Sequence, residues 1–145
     1  MATLSTDLRN KLERTCVAAR NLAEKAARAA LGAMAVQHHE AYGHMSREQK
    51  DLRNKLRAHA RQLGDVQDAK GNLGIDHLAQ ECAYEHWHRM LFARFLAENG
   101  LLIEPEMDTA ISLDDCKELA KAEKTNLWTL AGRYAQRMLP EVFRA

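Results

Sequence analysis

Apolar positions recur with the 3.6-residue period of α-helices over most of the chain. A first, long helix is predicted from about Ser5 to Val36, within residues 1–36. Its apolar side is spaced alternately by four and three positions: Leu12, Cys16, Ala19, Ala23, Ala26, Ala30 and Ala33. Most of these side chains are small, so another helix can approach this side closely. Charged residues occupy the opposite side of the helix.

A second helix is predicted over residues 46–66, with Ser46 as N-cap and Gln49 completing a capping box. Its expected buried stripe is Leu52, Leu56, His59, Leu63 and Val66. The hexapeptide Asp-Leu-Arg-Asn-Lys-Leu occurs at 7–12 and again at 51–56. One match does not make a repeat architecture, which takes several copies, and two similar helix starts explain it. The polar stretch between Gly64 and Gly74 is predicted to be a mobile loop.

A third helix, over residues 75–99, is apolar on two sides. One face carries Tyr84, Trp87, Leu91 and Phe95, and the other carries Cys82, His86, Met90 and Ala93. Such a helix is expected at the centre of a bundle, with its aromatic residues in the core. Gly100 is expected to end it in the left-handed conformation, and Pro105 favours an extended segment over residues 101–106.

Two short helices complete the pattern, at 112–124 and 126–138. Ser112 is the expected cap of the first, and Thr125 or Asn126 that of the second. No segment alternates with a period of two, so no strand is predicted. The sequence therefore predicts an all-α fold, a helical bundle of about five helices forming a single domain over residues 1–145.

Composition limits the function classes. The chain has 145 residues, 46% hydrophobic and 28% charged, which suits one domain with one core. Its two prolines, Pro105 and Pro140, are far apart, and no two of its seven glycines are separated by one residue. A Pro-Pro active-site loop and a Gly-x-Gly nucleotide turn are thereby excluded. No apolar run approaches the roughly 20 residues of a membrane span. Three cysteines without a secretory leader predict reduced thiols and a cytoplasmic protein.

Charge is unevenly distributed along the chain. Residues 1–72 hold 13 Lys/Arg and 8 Asp/Glu, whereas residues 73–145 hold 8 and 12. The second helix carries a row of cations three or four residues apart, Lys50, Arg53, Arg57 and Arg61. The row lies roughly opposite the leucine stripe, so it is expected to face outward and contact DNA phosphates. Without interleaved aromatic residues, such contact would not be sequence-specific. The alternative is a solvated helix face.

The spacing of histidine, cysteine and acidic residues gives little support for a metal site or a catalytic nucleophile. Candidate ligand pairs one turn apart are His77 with Glu81, Cys82 with His86, and Glu85 with His88. A bundle di-iron site needs a second Glu-x-x-His motif and further carboxylates, and the chain has one such motif. Cys16 and Cys82 lie at packing positions, and acidic neighbours raise the pKa of Cys116. We therefore predict no metal ligand, no catalytic residue and no cofactor-binding residue.

One long string resembles a known family. Residues 83–102 read Ala-Tyr-Glu-His-Trp-His-Arg-Met-Leu-Phe-Ala-Arg-Phe-Leu-Ala-Glu-Asn-Gly-Leu-Leu. This string resembles the helix ahead of the catalytic domain in large bacterial N6-adenine DNA methyltransferases of restriction-modification and phage-defence (BREX and DISARM) systems. The segments 8–14, 57–65, 128–135 and 138–140 are similar to these enzymes as well.

The resemblance implies that the chain is an N-terminal helical part of a longer, S-adenosylmethionine-dependent enzyme. That family binds S-adenosylmethionine at a Phe-x-Gly-x-Gly turn and catalyses at an Asn-Pro-Pro-Tyr loop, and this chain has neither. Residues 1–145 are then expected to be an accessory domain without catalysis of its own. The implied partners are the methylase catalytic domain, DNA and other defence-system proteins. The alternative is a stand-alone helical interaction or dimerisation module that uses the alanine-rich side of the first helix.

Overall fold

The computed structural model describes residues 4–140. Their elements, in chain order, are α1 (Thr6–Ala33), α2 (Arg47–Leu63), α3 (Asp76–Glu98), β1 (Ile103–Glu104), β2 (Thr109–Ala110), α4 (Leu113–Ala122) and α5 (Leu127–Met138). The predicted all-α fold is confirmed. The two short strands, which pair antiparallel with Ile103 opposite Ala110, were not predicted. None of the helices in the described part combines the length and the apolar character needed to cross a bilayer.

The helix starts follow the predicted caps. The Ser46 hydroxyl accepts a hydrogen bond from Gln49 N at 3.2 Å, and Gln49 Oε1 accepts one from Ser46 N at 2.9 Å. Ser112 caps α4 in the same way, and of the two candidates for α5 the cap is Asn126. The first N–H groups of each helix lack intrahelical acceptors, so these polar residues supply them.

Helices α1 to α4 each end with a left-handed residue flanked by the same pair of backbone bonds. Gly64 and Gly100 take this position after α2 and α3, as suits a residue without Cβ. Ala35 (φ 53°) and Lys124 (φ 54°) take it after α1 and α4, where no sequence signal exists. At the end of α1, Val36 N donates to Leu31 O at 3.1 Å, so both side chains enter the core together.

Packing divides the chain into two compact units, residues 1–84 and 85–145. The single domain predicted from the sequence stays a prediction. The core of the first unit is Leu31, Val36, Ala60, Leu73, Ile75, Leu78 and Ala79. The core of the second unit is Ala93, Leu96, Leu102, Ile111, Cys116, Ala120, Leu130, Ala131, Tyr134 and Ala135. Each unit therefore has a hydrophobic centre of its own.

The buried side of α2 differs from the predicted leucine stripe. Leu52 is half exposed and Val66 is exposed, whereas Arg53, Arg57 and Ala60 are buried. The helix is thus rotated relative to the prediction, so that Arg53 and Arg57 face the first unit's interior and Leu52 does not. The apolar periodicity did not predict the buried side of α2, because it takes no account of hydrogen bonds. Main-chain carbonyls accept hydrogen bonds from the two buried guanidinium groups and offset the cost of burying their charge.

The aromatic face of α3 is also less buried than predicted. Tyr84 is 65% exposed, Leu91 46% and Phe95 55%. Phe92 instead packs on the second unit's core and lies 6.4 Å from Phe95, centroid to centroid. The helix has apolar residues on two sides, and several of those residues remain exposed. The prediction that these aromatic residues form a core is therefore wrong for Tyr84 and Phe95.

The stretch between Gly64 and Gly74, predicted to be a mobile loop, is a hydrogen-bonded turn. The Asp68 carboxylate accepts hydrogen bonds from Lys70 N at 2.9 Å and from Asn72 N at 2.8 Å. These bonds lower the pKa of Asp68, and the backbone N–H of Asn72 has the largest effect. Gly74 N donates to Val66 O at 2.9 Å and closes the turn. Main-chain hydrogen bonds to the Asp68 side chain thus hold the turn in place of regular strand pairing.

Gly71 gives a direct test of this turn. We expect Gly71→Ala to destabilise the protein by about 1–3 kcal/mol, because φ is 85° and an added Cβ would lie 2.7 Å from His39 Cγ. Urea denaturation followed by circular dichroism measures the loss. Gly43→Ala is the matched control, since a Cβ there meets no atom within 4 Å. Equal stability of the two variants would contradict the account of the turn.

Candidate functional site

Arg53 lies at the centre of the site that the sequence singled out, and it is only 5% exposed. Its Nε donates to Ala35 O at 2.9 Å, and its Nη2 donates to His38 O at 2.5 Å and His39 O at 3.0 Å. Its Nη1 donates to Asn54 Oδ1 at 3.1 Å. The planar donor fork of the guanidinium is thereby matched to the chain just beyond α1.

Arg57 lies one helical turn further along and is 7% exposed. Its Nη1 donates to Val36 O and to His38 O, both at 2.6 Å, and its Nη2 donates to Gly71 O at 2.8 Å. Arg57 therefore ties the connection after α1 to the turn that contains Gly71. We call Arg53, Arg57 and the carbonyls of residues 35, 36, 38, 39 and 71 the arginine–carbonyl cluster.

The electrostatics of this cluster are those of a buried cation solvated by peptide groups. Burial lowers the pKa of Arg57, and the neighbouring charges of Arg53 and Arg61 lower it further. The guanidinium stays protonated all the same, because its ordinary pKa is far above neutrality. The cluster also lies just past the C-terminus of α1, the negative end of the helix dipole, which favours cations there.

The predicted row of four outward-facing cations is thus divided by the fold. Lys50 and Arg61 are exposed, as predicted, and so is Arg47 one turn before Lys50. Arg53 and Arg57 point inward, so their predicted outward orientation is wrong, and their guanidinium groups already donate to the main chain. The cations available to a polyanion on α2 are consequently Lys50, Arg61 and their exposed neighbours.

Helix α1 presents a different kind of surface. Every residue from Leu4 to Ala18 is exposed, and Leu31 is the single fully buried residue of the helix. Leu8, Leu12 and Leu22 are 50%, 53% and 70% exposed. With the small residues between them, of which Ala19 and Ala23 are partly buried and the rest exposed, they form one charge-free sector, which we call the α1 stripe: Leu8, Leu12, Cys16, Ala19, Leu22, Ala23, Ala26 and Ala30. An exposed apolar surface of this extent is typical of a protein-interaction site.

Two of the residues considered as metal ligands have ion-pair partners. Glu81 Oε1 lies 3.2 Å from His59 Nε2, and Glu85 Oε2 lies 3.9 Å from Arg89 Nη2. Between residues 4 and 140 no three His, Cys, Asp or Glu side chains come together in an arrangement that could hold a metal. His38 and His44 instead lie beside the Tyr42 ring, at centroid distances of 5.8 and 5.6 Å.

The three thiols occupy three environments. Cys16 is exposed on the α1 stripe, Cys82 is partly buried against the first core, and Cys116 is fully buried. Burial raises the pKa of Cys116, and the Asp115 charge raises it further, which confirms the direction predicted from its acidic neighbours. A buried thiol with a raised pKa is a poor nucleophile.

Two buried carboxylates were not singled out from the sequence. Asp65 accepts hydrogen bonds from His77 N and Leu78 N, both at 3.0 Å, and so caps α3 from a distant turn. Glu104 accepts from Met107 N at 2.6 Å and Glu106 N at 3.0 Å, and closes the hairpin between β1 and β2. No local signal marks Asp65, because its partners follow 12 and 13 residues later. Both buried carboxylates thus have main-chain hydrogen-bond donors.

Comparison with family models, with curated proteins and with solved structures found no match to this chain. Functional proposals for it therefore rest on its own surfaces and on the resemblance of residues 83–102 described above.

The arginine–carbonyl cluster predicts unequal effects along one row of cations. We expect Arg57→Gln to destabilise the protein by about 2–4 kcal/mol, because several buried carbonyls lose their donors. Arg61→Gln, four residues further on and exposed, is expected to change stability by less than about 0.5 kcal/mol. Chemical denaturation of both variants measures the difference. Similar midpoints would show that the buried guanidinium contributes no stability.

Proposed function

We propose that this chain is a non-catalytic helical module that docks on a partner protein through the α1 stripe. The observation that carries the proposal is the exposure of every residue from Leu4 to Ala18 on a helix with a continuous apolar sector. Most of the stability of a protein helix comes from packing of its apolar face, so a partner that covers the stripe would stabilise α1. Small residues along the stripe suit a second helix, whose axis can then approach closely.

The resemblance of residues 83–102 suggests the identity of that partner. We propose the catalytic domain of an N6-adenine DNA methyltransferase, with the present chain as its accessory helical region. In that role S-adenosylmethionine and the reacting base belong to the catalytic domain. The exposed cations of α2 would contact the DNA backbone, and the α1 stripe would hold the two parts together.

A specific observation also favours self-association as a second candidate function. The stripe is large at its start, with Leu8 and Leu12, and small at its end, with Ala26 and Ala30. In an antiparallel pair of α1 helices Leu8 and Leu12 would each face an alanine of the other copy. Such alternation of large and small residues fills space evenly, whereas a parallel pair would set leucine against leucine.

Replacing two stripe leucines tests docking. We expect Leu8→Glu with Leu12→Glu to abolish complex formation with a separately purified methylase catalytic domain of the resembled class, because charge would be buried in an apolar contact. Folding should be unchanged, since both side chains are exposed. Isothermal calorimetry measures binding, and circular dichroism measures helix content. Asn10→Glu with Asn21→Glu, on the polar side of α1, is the matched control.

Sedimentation equilibrium of the chain alone separates the two candidates. A concentration-dependent dimer that the leucine variant abolishes would favour self-association. A monomer that binds the catalytic domain would favour the accessory role. A monomer that binds no catalytic domain would overturn both.

Contact with DNA is proposed for the exposed cations of α2. Lys50 and Arg61 lie about three turns apart on one side of the helix. A phosphate contact by each releases counterions, which makes binding weak at high salt and insensitive to sequence. Arg53 and Arg57 are left out of this proposal because their donors serve the arginine–carbonyl cluster.

The salt dependence of duplex binding tests this contact. We expect Lys50→Glu with Arg61→Glu to weaken binding to a short DNA duplex, and to make the slope of log affinity against log salt shallower by about 2. Fluorescence anisotropy over a salt series measures both. Lys117→Glu, an exposed lysine of α4, should leave the slope unchanged. An unaltered slope in the double variant would contradict the proposal.

A further inference from the structure

The second unit contains a cavity of about 290 Å³ between α3 and α5. His86 and Arg89 line it from α3, one turn apart, and Trp128, Gly132 and Arg133 line it from α5. Its volume is close to the lower end of small-molecule sites, about 300 Å³. No side chain of this cavity takes part in the functions proposed above.

Gly132 is the unusual residue of this cavity. It lies in the middle of α5, where glycine is less favourable than alanine. A glycine inside a helix usually serves a left-handed backbone or a close approach of a neighbouring segment. Gly132 serves neither. An added Cβ at Gly132 would meet no atom within 4 Å outside the helix's own backbone, and the residue has no positive φ. The absence of a side chain at position 132 therefore keeps the cavity open and meets no requirement of the fold.

The charge of the lining favours an anion. Arg89 and Arg133 contribute cations, and among the described residues that line the cavity there is no Asp or Glu. Glu85 Oε2 forms an ion pair with Arg89 Nη2 at 3.9 Å, which is longer than a hydrogen bond. Glu123 pairs with Arg133 at 2.9 Å, but both side chains are more than two-fifths exposed, and such pairs contribute little. A phosphate, with its strong acceptor oxygens, can replace that partner.

Trp128 adds an aromatic surface beside these cations. It is partly exposed, and Thr129 and Gly132 adjoin it on the same helix. Tryptophan stacks with nucleobases because both have flat π-faces. An aromatic side chain and two arginines in one small cavity match a ligand that has a planar group and a phosphate.

We propose that this cavity binds a nucleoside phosphate, either free or within a single-stranded nucleic acid. The phosphate lies against Arg89 and Arg133, the base stacks on Trp128, and the space left by Gly132 admits the sugar. This site is independent of the α1 stripe and of the α2 cations, so its test does not depend on the proposed function.

Adenosine 5′-monophosphate is the probe for this site. Trp87→Phe leaves Trp128 as the single tryptophan of the two in the chain, and its fluorescence then reports binding. We expect the nucleotide to quench Trp128, and Arg89→Gln or Arg133→Gln to weaken binding about tenfold each. Adenosine and inorganic phosphate, each of which has half of the ligand chemistry, should bind more weakly than the nucleotide. Arg94→Gln, an exposed arginine of α3, is the matched control.

Gly132→Ala separates a ligand site from a structural one. Alanine is the better helix former, so we expect the melting temperature to rise by about 4 °C and the affinity for the nucleotide to fall at least about tenfold. Gly32→Ala in α1, where a Cβ also meets no atom within 4 Å, should raise stability without changing affinity. A Gly132→Ala variant with unchanged affinity would overturn the proposal.

Two arms identify the source of the nucleotide. Much tighter binding of a short oligodeoxyadenylate than of the free nucleotide would indicate a single strand as the ligand, and equal binding would indicate a free nucleotide. No quenching by either, or binding of inorganic phosphate as tight as that of the nucleotide, would overturn the assignment of a nucleoside phosphate.

Discussion

The first unit depends on two buried guanidinium groups hydrogen-bonded to backbone carbonyls. The connection after α1 and the turn around Gly71 contain little regular structure, and their carbonyls cannot all be satisfied by local bonds. Arg53 and Arg57 supply donors to both segments at 2.5–3.0 Å. Without these donors the two segments would have to remain in water, and the apolar core between α1, α2 and α3 would lose one side.

This use of charge determines which surface of α2 is left for partners. The four cations of α2 are equivalent in the sequence pattern, but the fold gives them two roles. Arg53 and Arg57 are buried, whereas Lys50 and Arg61 are exposed. The same division explains why Leu52 is half exposed, since Arg53 and Arg57 occupy the side of the helix that faces the interior. Surface function on this helix is therefore limited by the donors that the fold has already used.

Much of the fold follows from local signals. The capping residues Ser46, Ser112 and Asn126 start three helices, and Gly64 and Gly100 end two, because each satisfies backbone groups within a few residues. Ala35 and Lys124 end helices without any such signal. The Ala35 carbonyl accepts a tertiary hydrogen bond from Arg53 Nε at 2.9 Å, whereas the bonds at Lys124 are backbone bonds of its own helix end. The candidate site was located by its charge spacing, whereas the Asp65 cap and the cavity at Gly132 join residues too distant in sequence to be recognised.

The hexapeptide at 7–12 and 51–56 shows what each level determines. Its composition makes it helical in both places, since helix propensity and i,i+4 spacing act within one turn. Its third residue is nevertheless exposed as Arg9 and buried as Arg53. Sequence by itself determined the helix, because the forces that form it are local. Tertiary structure decided which arginine enters the interior, because only there did distant segments bring carbonyl oxygens within reach of the guanidinium.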